Sequence, residues 1–184
     1  MTAAPRLALP AAGFAGIDLA CRRGERLVFA GLSFSLAAGG ALVLTGPNGS
    51  GKSSLLRLMA GLARPEAGRL GWDGAPVDAD AAAHRARLHF IGHQEAAKPL
   101  LTVAETLAFW AGMRGGGDVA PALARFRLGA LAGSPCRLLS AGQRRRLALA
   151  RLVASPAPLW LLDEPGTGLD SDALDDLLAA IAAQ

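Results

Sequence analysis

Tyrosine is absent from this 184-residue sequence, lysine and cysteine occur twice each, histidine three times, and no apolar run reaches the length of a membrane span. With no tyrosine and only 5% aromatic residues, there is no aromatic-rich basic strip on which single-stranded bases would stack, so nucleic acid is not expected among the partners. Cys21 and Cys136 form no metal-type cluster and are read as two free thiols. A bilayer span needs about 18 consecutive apolar residues. Although 52% of the residues are hydrophobic and mean hydropathy is +0.32, the excess comes from scattered alanines. Met1 to Gly13 carries one arginine and too short an apolar patch for a secretion signal, which favours a cytoplasmic protein. The net charge of +4 and pI near 10.0 come almost wholly from arginine, since Lys52 and Lys98 are the only lysines. A surface of that sign suits attachment to anionic lipid.

What is present is organised around Gly46, Pro47, Asn48, Gly49, Ser50, Gly51, Lys52, Ser53 and Ser54, which fit the phosphate-cradling pattern G-x-x-x-x-G-K-[ST] in full. The apolar run Ala41 to Thr45 in front reads as a buried strand, and Ser53 to Met59 behind it has helical periodicity. The three glycines let the backbone turn tightly and point successive N–H groups inward, while the helix start adds partial positive charge. Lys52 would reach the β- and γ-phosphates of a nucleotide, and the Ser53 hydroxyl is a hard oxygen ligand suited to Mg²⁺. The same residues can also form a plain glycine-rich turn before a core helix, but the full pattern between a strand and a helix argues for a nucleotide.

Around this loop the chain reads as an α/β domain. Gly16 to Cys21 and Arg26 to Leu36 are strands of an antiparallel sheet feeding the central strand, with Arg22-Arg23-Gly24 between them. Gly61 and Pro65 stop the helix, and Arg69 to Trp72, Asp73-Gly74 and Ala75 to Val77 form a hairpin. After a short helix at Ala81 to Ala86, the strand Leu88 to Ile91 delivers Gly92-His93-Gln94 to its carboxyl end, where ligands of open α/β sheets bind, so Gln94 becomes a site candidate. Thr102 to Glu105 and Ser140 to Gln143 are capping boxes, each opening a helix. In the second helix Leu147, Ala150, Leu152 and Val153 are expected inside, with Arg144, Arg145, Arg146 and Arg151 mostly outside. Asp170 or Ser171 caps the last helix. The expected organisation is one domain over 1–184, with its core at about 1–94 and 136–184 and a helical lobe at about 95–135 where a partner docks.

The apolar strand Pro158 to Leu162 ends in Asp163-Glu164, and two adjacent carboxylates at the end of a buried strand are costly without a cation. Asp163 would hold Mg²⁺ through water, and Glu164 would take a proton from the attacking water. Otherwise the pair is a helix-capping acidic dipeptide. His84, His89 and His93 straddle a helix end and a strand, a placement that does not favour a shared metal.

Together Gly46 to Ser53, Gln94, Leu139 to Gln143, Leu159 to Pro165 and Gly168-Leu169-Asp170 resemble the nucleotide-binding domains of ABC transporters. The resemblance implies a phosphate-loop NTPase core with a parallel sheet, an antiparallel β lobe and a small helical lobe. It assigns catalysis to Glu164, Gln94 and Lys52, Mg²⁺ to Ser53, Gln94 and Asp163, and ATP to Gly46 through Ser54 with Ser140, Gly142 and Gln143. Ser140 and Gly142 would act in trans, closing on ATP held by a second, identical subunit. Within the family, Arg23 to Arg26, Phe29 to Phe34, Ile91 to Gln94, Lys98, Leu101-Thr102 and Arg145-Arg146 are similar to the haem-export branch of cytochrome c maturation. That implies membrane-spanning transporter subunits as partners, haem and its chaperone indirectly, and a peripheral place on the cytoplasmic face of the inner membrane. Three departures stand out. No aromatic ring lies near Arg22 and Arg23 to stack on adenine, although a guanidinium can. Ala141 replaces the second signature glycine, a change this branch shares. The family also carries a histidine after one further strand, and the sequence ends at Gln184, so a C-terminal truncation with weak hydrolysis is expected. The alternatives are an ABC subunit for another cargo, a non-hydrolysing nucleotide switch or regulatory fragment, and a soluble DNA- or ribosome-acting ABC protein, which usually has two cassettes.

Overall fold

The computed structural model describes residues 9, 12–93 and 97–184, and the chain divides into two compact units, Met1–Arg85 and Ala86–Gln184.

In the first unit, β1 (Phe14–Arg23) and β2 (Arg26–Leu36) form a hairpin whose turn is Gly24-Glu25. Both strands thus run through the arginines expected to separate them, because Arg23 pairs directly with Arg26. β3 (Ala67–Trp72) and β4 (Ala75–Pro76) complete an antiparallel sheet of order β2-β1-β3-β4. Asp73 and Gly74 connect β3 to β4 with φ of 47° and 81°, the paired left-handed values of a tight hairpin turn. The core of the unit gathers on Phe14, whose ring packs against Phe34, Trp72 and the His84 imidazole of α2 (Ala81–Ala86). α1 (Lys52–Met59) buries Leu55, Leu56, Leu58 and Met59, each of the larger apolar side chains adding about 2 kcal/mol. It stops at Gly61, whose left-handed φ of 65° lets Leu62 N–H return to the Arg57 carbonyl at 2.9 Å.

Ala41 to Thr45 does not form the buried strand expected of it: the run belongs to no strand, and Val43 is 79% exposed. An apolar run carries the tendency for a pleat, but a strand also needs a paired neighbour, and none of the described strands pairs with this run.

In the second unit, β5 (Leu88–Ile91) and β6 (Leu159–Leu162) pair in parallel, Leu88 opposite Leu159 and Ile91 opposite Leu162. Four helices follow the expected order: α3 (Val103–Gly112), α4 (Ala120–Arg125), α5 (Ala141–Ala154) and α6 (Ser171–Ala182). Both capping boxes close reciprocally, Thr102 with Glu105 and Ser140 with Gln143, and Asp170 caps α6 by accepting from Ala173 N–H at 2.8 Å. α5 is the central element, packing against α3, α4 and α6. Its Leu147, Leu149 and Leu152 enter a core shared with Val103, Leu107, Phe126, Leu128 and Leu177. Two arginines expected mostly outside are drawn inward: Arg145 is buried, with 5% exposure, and Arg151 is half-buried, its pKa lowered to about 10 by that burial. No helix of the described residues is long and apolar enough to cross a membrane.

Candidate functional site

The first unit carries the phosphate loop. Gly46, Gly49 and Gly51 adopt φ of 144°, 80° and 103°, values that side chains with a Cβ rarely take. At Gly51 there is no room either, since a Cβ would stand 2.7 Å from Val28 Cγ1 and 3.0 Å from Phe29 Cδ1. Ser50 N–H closes the turn on the Pro47 carbonyl at 3.2 Å. α1 then starts at Lys52 with Gly51 as its N-cap and no side chain capping it, so its first backbone donors keep the polarity that suits an anion. Lys52 Nζ donates to the carbonyls of Gly46 at 2.7 Å and Pro47 at 3.1 Å, which holds the ammonium over the loop. Ser53 follows in the first helical turn, and Asn48 and Ser50 are exposed. A cradle of left-handed glycines, an uncapped helix start, a tethered ammonium and a serine hydroxyl together match a nucleotide's polyphosphate and its Mg²⁺.

The second unit carries the carboxylates. Asp163 N–H donates to the Ile91 carbonyl at 2.8 Å, extending the β5–β6 ladder by one step, and the residue is 4% exposed. His93 Nε2 stands 3.6 Å from Asp163 Oδ2. Glu164, one residue on, is exposed with a left-handed φ of 47°. Such a backbone costs a non-glycine residue about 1–2 kcal/mol. Arg145 holds it. Its guanidinium donates to the carbonyls of Glu164 at 2.8 Å, Asp163 at 3.1 Å, Pro165 at 3.3 Å and Gly92 at 2.8 Å. Hydrogen bonds from a charged donor contribute about 1.5–3 kcal/mol each, enough to outweigh the strain. Two neighbouring carboxylates therefore meet different surroundings, Asp163 inward and Glu164 outward. Among the described residues no three His, Cys, Asp or Glu side chains gather, so protein carboxylates and rings alone would not complete a cation's shell here.

At the start of α5, Ser140 Oγ accepts from Gln143 N–H at 3.2 Å while Gln143 Oε1 accepts from Ser140 N–H at 2.8 Å. The serine keeps its O–H to donate elsewhere. A Cβ on Gly142 would lie 3.4 Å from the Gly168 carbonyl oxygen, an ordinary contact, so packing within the chain does not demand glycine there. Gln94 lies outside the described residues. His84 Nε2 and His89 Nε2 are buried 2.8 Å from the Met59 carbonyl and 2.7 Å from the Ser155 carbonyl, a structural use of both rings. Burial holds the His89 pKa down at about 4. The bond to Ser155 opposes that shift, and Arg114 and Arg151 add to it.

Sequence reasoning missed two residues. The parallel pairing of β5 with β6 brings His93 beside Asp163, and the only signal for it was its place just past the end of a strand. Arg145 looked like one of a run of surface arginines.

Residues 16–167 match the family described as ABC transporter, and the chain belongs to that family of transporter ATPases. It is similar to the cytochrome c biogenesis ATP-binding export protein CcmA of Rhodospirillum rubrum, 61% identical over 171 residues that span 90% of this chain and 73% of the relative. The protein of the same name from Paramagnetospirillum magneticum is 57% identical over 175 residues, 90% of this chain and 81% of the relative. Among solved structures, an ATP-binding subunit of an ABC transporter matches with a TM-score of 0.86 at 25% identity, covering 93% of this chain and 74% of that one. A bacterial Atm1-family ABC exporter with ATP bound matches with a TM-score of 0.82 at 26% identity, covering 100% of this chain and 34% of that one.

Proposed function

We propose that this chain is the ATP-binding and ATP-hydrolysing subunit of an export complex of cytochrome c biogenesis, one that handles haem. It works as a homodimer bound to membrane-spanning subunits at the cytoplasmic face of the inner membrane. The observation that carries the hydrolytic part is the split between the adjacent carboxylates, Asp163 4% exposed and Glu164 open to solvent, in a chain whose phosphate loop has the glycine geometry a polyphosphate needs. The likeness to the CcmA proteins of cytochrome c biogenesis supports the cytochrome c part.

In this reading the backbone donors of Gly49 to Ser53 receive the β-phosphate, and Lys52 turns its ammonium from the Gly46 and Pro47 carbonyls to the β- and γ-oxygens. Bound Mg²⁺ would neutralise charge on those oxygens, held by Ser53 directly and by Asp163 through water. The Glu164 carboxylate accepts a proton from the water that attacks the γ-phosphorus. Ser140 O–H and the backbone at Gly142 meet the γ-phosphate bound to the second copy, with Gln143 fixing Ser140 through the capping box.

The docking surface for the membrane subunits is the outer side of the helical lobe. Lys98 Nζ lies 4.3 Å from the Phe109 ring centre, Phe109 meets Trp110 edge-on, and Arg151 stacks 3.7 Å from the Trp110 ring. Leu100 and Met113 are 81% and 67% exposed on the same lobe. Exposed apolar and aromatic groups beside the exposed Lys98 suit a partner loop with apolar and acidic residues.

Complementation tests the whole assignment. A strain deleted for its own export ATPase should regain c-type cytochromes when given this gene, but not when given the Lys52→Ala form. No recovery by the unmutated gene, with the protein present at the membrane, would oppose the cytochrome c assignment.

A further inference from the structure

We infer that Arg145 is a positioning residue for hydrolysis: by clamping the backbone carbonyls of residues 163–165 it sets the direction of the Glu164 carboxylate. The inference rests on the role given to Glu164 above. Three consecutive carbonyls, those of Asp163, Glu164 and Pro165, accept from one buried guanidinium, which also takes the Gly92 carbonyl at the end of β5. The segment so held includes the one residue of the acidic pair in the left-handed region, at φ 47°. A non-glycine residue there persists only when its surroundings over-determine it. All four acceptors belong to the backbone, so what Arg145 fixes is the path of the chain, and through it the angle at which the Glu164 side chain leaves.

The donor has to be arginine. Only a planar guanidinium offers five N–H groups in a fork wide enough to serve acceptors on two strand ends at once. Lysine presents three donors from a single atom, and glutamine only two. The base of the clamp is rigid as well, because Arg145 stands two residues beyond the Ser140–Gln143 capping box, on a helix whose Leu147 and Leu149 are buried at 1% and 0% exposure. None of the four carbonyls it holds belongs to the phosphate loop, so its removal should slow the proton transfer and spare nucleotide binding.

The test uses the chain assembled with its membrane subunits, measuring MgATP affinity, ATP turnover and thermal unfolding for Arg145→Gln, Arg145→Lys, Glu164→Gln and the double variant Arg145→Gln/Glu164→Gln. Arg145→Gln should lower kcat at least tenfold with MgATP affinity within about twofold of the original, and Arg145→Lys should fall between. In the Glu164→Gln background, adding Arg145→Gln should lower the residual turnover no further, because the group being positioned is gone. Should Arg145→Gln fail to fold, Arg145→Lys carries the test, with a several-fold lower kcat expected at unchanged affinity. Unchanged kcat in Arg145→Lys and Arg145→Gln, or an equal loss with and without the Glu164 carboxylate, would overturn the inference while leaving the site intact. Normal turnover in Glu164→Gln would overturn the underlying reading, and the inference with it.

Discussion

Lys52 Nζ is bonded to the Gly46 carbonyl at 2.7 Å, so the loop's ammonium is tethered to the residue that opens the same loop. Its aliphatic stem contributes little to the core, which α1 builds from Leu55, Leu58 and Met59. Lys52→Ala should therefore leave unfolding stability within about 0.5 kcal/mol. MgATP turnover should fall roughly a hundredfold or more, the scale seen when a charge-stabilising donor is removed. Denaturant unfolding and a phosphate-release assay on the same preparation separate the two effects.

A second expectation concerns acid. His89 is buried and neutral, its pKa lowered from 6.5 to about 4, while in the unfolded chain it regains its ordinary value. Between these values the unfolded state binds the extra proton, so the stability that His89 contributes is complete above about pH 6.5 and is lost as pH falls towards 4. By pH 5 the loss is about 2 kcal/mol. The urea midpoint of the unmutated chain should thus drop more between pH 7 and pH 5 than that of His89→Leu. Parallel pH slopes would show that the ring is not held neutral.

At Gly142 the chain leaves room for a methyl group, and its φ is not left-handed. Gly142→Ala should keep or raise stability, by up to about 1 kcal/mol from helix propensity. If the residue closes on ATP in a second copy, the same methyl group should weaken the ATP-dependent dimer. Light scattering with MgATP, beside an unfolding curve, reads both, and a variant that dimerises normally would place the trans contact elsewhere.

Coupling to the membrane subunits needs a contact that differs between nucleotide states. Cys21 and Cys136 are both buried, so a cysteine introduced at Ala97 or Lys98 can be addressed selectively. Cross-links from those positions to a cytoplasmic loop of a membrane subunit should change in yield when ATP is added, and nucleotide-independent yields would argue against coupling there.

The parts of the site that were legible in the sequence are those whose chemistry is local. Gly46 to Ser53 declares itself because the glycine spacing and the lysine serve one short loop, and Ser140 with Gln143 because a capping box spans three residues. Asp163 and Glu164 could be read from the cost of two carboxylates ending an apolar strand. What was not legible depends on partners distant in the chain. Arg145 is drawn inward by carbonyls up to 53 positions away, which no helical periodicity records. The left-handed backbone of Glu164 is set by that clamp, since glutamate itself has no preference for it. Ala41 to Thr45 was misjudged for the same reason, because hydrophobicity announces a strand's face and says nothing of its neighbour.

Glu164 decides the account. With the membrane subunits present and MgATP saturating, Glu164→Gln should bind nucleotide as tightly as the unmutated chain, hydrolyse it roughly a hundredfold or more slowly, and collect as an ATP-bound dimer. A Glu164→Gln protein that turns over at the original rate, or stays monomeric with ATP bound, would contradict the assignment of this carboxylate as the proton acceptor for hydrolysis.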